Sequence, residues 1–152
     1  MSSLGTIGRR GSTYALQEYF VPRAKVEEFV GRMSRVLREN DVNALNVSIR
    51  HSPADGVTAL AWAREDVFSL VLYYWQRTSP DAVAHVGRWT RQLIDAALAL
   101  GGTYYLPYQL HATREQFLRA YPQAMGFFKL KAEIDPHHQF QNKLWTKYGP
   151  SA

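Results

Sequence analysis

The chain has no cysteine among its 152 residues. That excludes disulfide staples, thiolate metal sites and a cysteine nucleophile. No apolar run approaches the ~18 residues of a membrane-spanning helix, so no transmembrane segment is expected. Glycine-rich phosphate loops and nucleophile-elbow motifs are missing, and no internal repeat or low-complexity tract occurs. The opening stretch, "MSSLGTIGRRGSTYA", lacks the apolar h-region of a secretory signal. Residues 1–13 read as a flexible basic tail, and a cytoplasmic location is expected. The five histidines show no zinc-helix or finger spacing, so no metal is expected.

What is present fits a folded domain. Hydrophobic residues make up 46% of the chain, which argues against disorder. The length suits one domain with its own core. The formal charge of +5 favours anionic partners. The basic residues are scattered, however, with small clusters only at Arg9–Arg10 and at Arg32, Arg35 and Arg38. A nucleic-acid footprint is denser than this, so nucleic acid is not read as a partner.

Tyr14–Pro22 reads as a strand that proline ends. Val26, Phe29, Val30, Met33, Val36 and Leu37 recur at helical spacing, and Asn40–Asp41 ends that helix. Val42–Arg50 alternates. Leu45, Val47 and Ile49 form a packed face, and Asn46, Ser48 and Arg50 form a polar one. Val57–Trp62 reads as a further strand. Asp66–Gln76 is apolar on both faces, as a central strand covered on both sides would be. Ser79 caps a helix with Pro80 at its first position, and Gly101–Gly102 stops it. Thr103–Leu106 reads as a short strand. Thr113 and Gln116 have the spacing of a capping box. Tyr121–Pro122 breaks that helix and starts another, "DPHHQF" is a turn, and "NKLWTKY" is a last short helix.

The order predicts an α+β fold. Its core is an antiparallel sheet with helices packed on one face, in a split β-α-β, ferredoxin-like arrangement, followed by a C-terminal helical tail. The polar sheet face must meet water, a ligand or another domain. Arg50 on that face offers a rigid fork of donors for an anion or a developing negative charge. Tyr104, Tyr105, Tyr108 and Tyr121 either line a flat-ligand pocket or pack a core. His111 is either a site residue or one bonded to nearby backbone.

Several stretches carry a resemblance: "QEYFVP", "NVSIRH", "LYYWQ", the run Trp89–Pro122, and "FFKLKAEIDPHHQFQNKLWTKY". Together they resemble the C-terminal portion of FAD-dependent oxidoreductases of the vanillyl-alcohol oxidase superfamily, nearest to sugar-lactone and alditol oxidases. The likeness covers nearly all of Tyr14–Tyr148. It implies that residues 14–152 form the substrate, or cap, domain of an FAD-linked oxidase. The FAD-binding domain is then absent from this chain, which would be a gene fragment, a split subunit or an isolated domain. The implied activity is oxidation of a hydroxyl-bearing small molecule, such as a sugar lactone or polyol, by hydride transfer to flavin.

The same resemblance assigns roles. Arg50 anchors the substrate oxygen, and Ser48 and Gln109 hydrogen-bond to it. Tyr104 and Tyr108 wall the site, and Asn142 touches the flavin region; His111, from its place in the aromatic segment, is a further candidate substrate contact. Alditol oxidases carry an acid-x-arginine pair where this chain has Ser48-Ile49-Arg50, and a lysine where Gln109 stands. Both differences remove charge. The implied partners are an FAD-binding domain or subunit and the substrate, and self-association is expected of a chain built to meet another domain. A different class fits the residues as well: a stand-alone α+β binding or oligomerisation module with no redox chemistry.

Overall fold

The computed structural model describes residues 11–150. Four strands form one antiparallel sheet: β1 (Ser12–Pro22), β2 (Ala44–Ser52), β3 (Val67–Arg77) and β4 (Thr103–Tyr104), in the order β2-β3-β1-β4. Helix α1 (Val26–Glu39) joins β1 to β2, and α2 (Pro80–Ala99) joins β3 to β4. Each crossover skips a neighbouring strand, so two split β-α-β units interlock. This is the ferredoxin-like arrangement expected from the sequence. The chain ends in three short helices, α3 (Arg114–Ala120), α4 (Ala124–Ile134) and α5 (Lys143–Tyr148). β1 begins at Ser12, inside the stretch read as a tail; residues 1–10 lie outside the described residues.

Register fixes which side each residue takes, because directly opposed residues of an antiparallel pair share a face. Gln17, Tyr19 and Val21 oppose Leu72, Leu70 and Phe68. With Tyr74 they form the face on which the helices pack. Phe29 and Met33 of α1 and Trp89, Leu93 and Ile94 of α2 close over it, and all are buried. The C-terminal helices extend this core through aromatic rings. Phe117 and Tyr148 stack with centroids 4.3 Å apart and planes 6° from parallel.

Local signals set the helix ends. Ser79 Oγ accepts from Ala82 N–H, with Pro80 in the first turn. Thr113 and Gln116 satisfy each other's backbone N–H groups in a capping box. Gly101 ends α2 with φ +78°, a conformation open to glycine at little cost. Gly102 has a different reason. A Cβ there would stand 2.2 Å from the Phe20 carbonyl oxygen, so β4 reaches β1 only because this residue has none.

Two sequence expectations are corrected. Val57–Trp62 is not a strand but part of an irregular connection from 53 to 66. Asp55 turns the chain there by accepting from the N–H groups of Val57 (3.0 Å) and Thr58 (3.1 Å). The Trp62 carbonyl takes a side-chain bond from Thr103 (2.6 Å) instead of a ladder bond. The other correction is to β2. Val47 and Ile49 do lie on the helix side, opposite Leu72 and Leu70, but they are 37% and 53% exposed. Leu45 is the bulged residue between Ala44 and Asn46 and is 50% exposed. β2 is an edge strand lying beyond the helix cover, so its apolar face is not packed. β3 is central as expected, and on its helix side Leu70, Leu72, Tyr74 and Gln76 are buried while Phe68 is partly buried. On the other side, cover reaches Val67, Ser69 and Val71 but leaves Tyr73 part-exposed.

Candidate functional site

The face of the sheet away from the helices carries Tyr14, Leu16, Glu18 and Phe20 of β1, Ser69, Val71 and Tyr73 of β3, and Asn46, Ser48 and Arg50 of β2. One end of this face is closed. Phe20, Ala63 and Val67 form a second small core under Trp62 and Tyr105, with the Phe20 and Trp62 rings 4.5 Å apart. The rest is open, and its charged groups sit at the border of the closed end. Glu18, Val71 and Ser48 form one cross-strand row, and Phe20, Ser69 and Arg50 form the next.

Among the described residues, Glu18 is the only carboxylate that the strands place on this face. Ser69, almost wholly buried, donates its hydroxyl to Glu18 Oε1. Asn46 Nδ2 donates to Ser48 Oγ at 3.4 Å. Arg50 is exposed and makes no ion pair among the described residues. Tyr108 shares a small cleft with Glu18, its ring edge-on to Tyr105 at 5.0 Å. Partial burial raises its phenol pKa first of all. The Glu18 carboxylate and Tyr105 push the same way, and Arg50 opposes them. Tyr108 is therefore close enough to feel both charges of the face.

Beside this face lies a cavity of about 780 Å³, lined by Tyr14, Leu16, Gln76, Tyr108, Gln109, His111 and Asn142, among others. It exists because β4 is only two residues long and pairs with Tyr19 and Phe20 alone. One further bond, from Tyr105 N–H to the Glu18 carbonyl (2.9 Å), ties the chain to β1, and His111 then lies against α2 beside Gly87 and Arg91. Gln109 Oε1 accepts from His111 Nε2–H at 2.6 Å and from the Tyr74 hydroxyl at 3.4 Å. Tyr74 in turn accepts from Gln17 Nε2 at 3.1 Å, so the cavity wall is tied to the buried polar network of the core. His111 is held neutral. Burial lowers its pKa to about 4, helped by the positive charges of Lys147 and Arg91. Arg91 Nη1 also donates to the His111 carbonyl at 3.3 Å. Asn142 caps α5 through Oδ1, which accepts from Trp145 N–H at 2.9 Å.

The site residues expected from the sequence thus separate into three places. Ser48 and Arg50 share the open face. Tyr108, Gln109, His111 and Asn142 surround the cavity. Tyr104 belongs to neither, and its reading as a substrate contact is corrected. It pairs with Tyr19 on the helix side, is 5% exposed, and meets Tyr121 edge-on at 5.9 Å. Burial pushes its phenol far above the usual range. Glu18 and Ser69 were missed in the sequence. A signal existed: Gln17 and Glu18 interrupt an otherwise apolar and aromatic strand, and a central strand keeps such residues only where each has a partner.

Neither a scan of protein-family models nor a search of curated proteins gives a match.

Proposed function

We propose that this chain is the substrate domain of an FAD-dependent oxidoreductase acting on a CH–OH group. The observation that carries the reading is the joint placement of Glu18, Ser48, Ser69 and Arg50 on one open sheet face, with Tyr108 set against them. A carboxylate and an unpaired guanidinium beside hydroxyl groups suit a hydroxylated carbon that is to lose hydrogen.

The residues fit a flavin carried by another domain. The polar face is uncovered toward β2, where a second domain can close it. Among the described residues no glycine-rich helix start offers the backbone donors that a pyrophosphate needs. Asn142 is exposed, and with Oδ1 occupied by the cap it keeps its amide N–H groups for a cofactor carbonyl. When bound, FAD supplies the hydride acceptor. The chain's own residues do the rest. Arg50 holds the substrate oxygen by charge-assisted hydrogen bonds. Glu18, oriented by Ser69, takes the hydroxyl proton. Ser48 and Tyr108 fix neighbouring hydroxyls, and the Trp62–Tyr105 cover excludes water from one end.

The test is complementation. The chain is mixed with the FAD-binding half of an alditol oxidase whose own substrate domain has been deleted. Polyols and sugar lactones are added without oxygen, and bleaching of the yellow flavin band is followed. Bleaching that requires the chain and fails with Arg50→Ala is the expected result. No bleaching with either substrate class, in a mixture that co-elutes as a complex, refutes the reading. The chain alone is expected to lose added FAD on gel filtration; stoichiometric retention would contradict the division of labour between two domains.

A further inference from the structure

Strand β2 ends the sheet, and among the described residues no strand pairs with its outer side. An edge strand shows a row of unpaired N–H and C=O groups that another strand can take up. Proteins that stay monomeric blunt such an edge with short length, proline, lysine or an inward-pointing charge. β2 uses none of these. It is nine residues long, and Ala44–Ser52 contains no proline, lysine, aspartate or glutamate. Its bulge lies between Ala44 and Asn46 and leaves the stretch from Asn46 to Ser52 in regular register with β3. On the helix side Val47 and Ile49 stay exposed because no helix reaches them.

The residues of β2 fit a second β2. Antiparallel self-pairing about Ser48 sets Val47 of each copy against Ile49 of the other, and Asn46 of each against Arg50 of the other. Apolar groups then meet apolar groups, each guanidinium meets a carboxamide, and no like charges are opposed, as antiparallel pairs favour. Other centres fit less well. Centring on Arg50 opposes two guanidinium groups. Centring on Val47 sets Ile49 against the bulged Leu45. Centring on Ile49 leaves Val47 facing His51.

We propose that two copies of this chain join edge to edge through β2, with a two-fold axis at Ser48, so that two four-stranded sheets become one continuous antiparallel sheet. Antiparallel strands related by such an axis keep each face of the sheet on its own side. The helices of both copies lie on one side and both open faces on the other. The face that carries Glu18, Ser48 and Arg50 stays uncovered in each copy, so the dimer neither needs nor blocks the function proposed above. The interface belongs to the chain itself and not to any ligand.

Sedimentation velocity over a wide concentration series tests the proposal, and a monomer–dimer equilibrium is the expected result. Val47→Lys and Ile49→Lys place a gatekeeper charge on the pairing edge, and each should weaken association by about tenfold or more. Both positions are exposed, so the variants should keep the fold, which circular dichroism checks. Val83→Lys is the control: it lies on α2, lines the cavity beside β1, and should leave association unchanged. Because the chain has no cysteine, a single introduced one reports its neighbour without background. Directly opposed residues stand ~4.5–5.5 Å apart, within reach of a disulfide. Under mild oxidation Ser48→Cys should give a linked dimer. Asn46→Cys and Arg50→Cys should link to each other when mixed, and far less to themselves. A chain that stays monomeric at every concentration, a dimer that survives both lysine variants, or a dimer in which Ser48→Cys does not link overturns the proposal.

Discussion

Ser69 donates its hydroxyl hydrogen to the Glu18 carboxylate diagonally across the β3–β1 pair, from a position only 1% exposed. Ser69 itself opposes Phe20, and Glu18 opposes Val71, so the bond links adjacent rows of the sheet. Long side chains reach such diagonal neighbours, and here the reach aims a carboxylate along the open face. Ser69→Ala leaves the carboxylate with one donor fewer. A hydrogen bond to a charged group contributes roughly 1.5–3 kcal/mol, and a part-buried one falls toward the lower end. Urea unfolding of Ser69→Ala should show a loss of about 1–2 kcal/mol with an unchanged denaturant slope. Ser69→Thr, which keeps the hydroxyl, should recover part of it.

Arg50 should behave in the opposite way. It is exposed, on an edge strand, and has no ion-pair partner among the described residues. Surface substitutions of this kind stay within about 0.5 kcal/mol. Arg50→Ala is expected to melt within a degree or two of the parent chain and to lose affinity for hydroxylated ligands by about tenfold or more. A large fall in melting temperature with unchanged binding would mark Arg50 as a structural residue.

The acid behaviour of the chain should carry the signature of His111. Its pKa in the fold is about 4, below the ordinary 6.5, because burial and the nearby Lys147 and Arg91 disfavour the charged ring. Between these values the unfolded chain binds the proton and the folded chain does not, so stability rises with pH. The contribution of a neutral His111 is complete above about pH 6.5 and is lost as pH falls toward 4. An NMR titration should place the His111 ring midpoint near 4, and His111→Gln should flatten the stability profile in that window. A midpoint at the ordinary value, or an unchanged profile, would contradict the burial of this ring.

Gly102→Ala tests the approach of β4 to β1. The new methyl would meet backbone oxygens of Phe20 at 2.2 Å and of Ala97 at 3.0 Å, and neither can swing aside as a side chain can. Overpacking in a filled site typically costs about 1–3 kcal/mol, and contact with rigid backbone puts this change at the upper end. Thermal unfolding measures it. Gly126→Ala is the control: it lies within α4, and an added Cβ there meets nothing within 4 Å. A neutral Gly102→Ala would mean that the two strands approach less closely than described.

How much of this was legible in the sequence depends on the range of the interaction. Ser79-Pro80, the Thr113–Gln116 box and the Gly101–Gly102 stop act within one helical turn, so their residues alone determine where helices begin and end. Strand alternation likewise assigned Asn46, Ser48 and Arg50 to one face, because side chains in a strand alternate whatever surrounds them. Strand order was outside that reach. Nothing in Leu45, Val47 and Ile49 says that β2 is an edge, and whether an apolar face is packed depends on which helices reach it. The stretch Val57–Trp62 has strand composition, yet its hydrogen bonds come from the side chains of Asp55 in a turn, Thr103 on a distant strand and Gln123 beyond it, and not from a ladder. Tyr104 and Tyr108 are chemically identical and four residues apart. Register with Tyr19 sends Tyr104 into the core, while Tyr108, beyond the end of β4, packs edge-on to Tyr105 beside Glu18. The pairing of Glu18 with Ser69, 51 residues away, arises only when β1 and β3 lie side by side. The sequence by itself determined the elements and the polar face, through contacts local to the chain; only the tertiary structure decided which residues share a site, because that requires distant segments to pack.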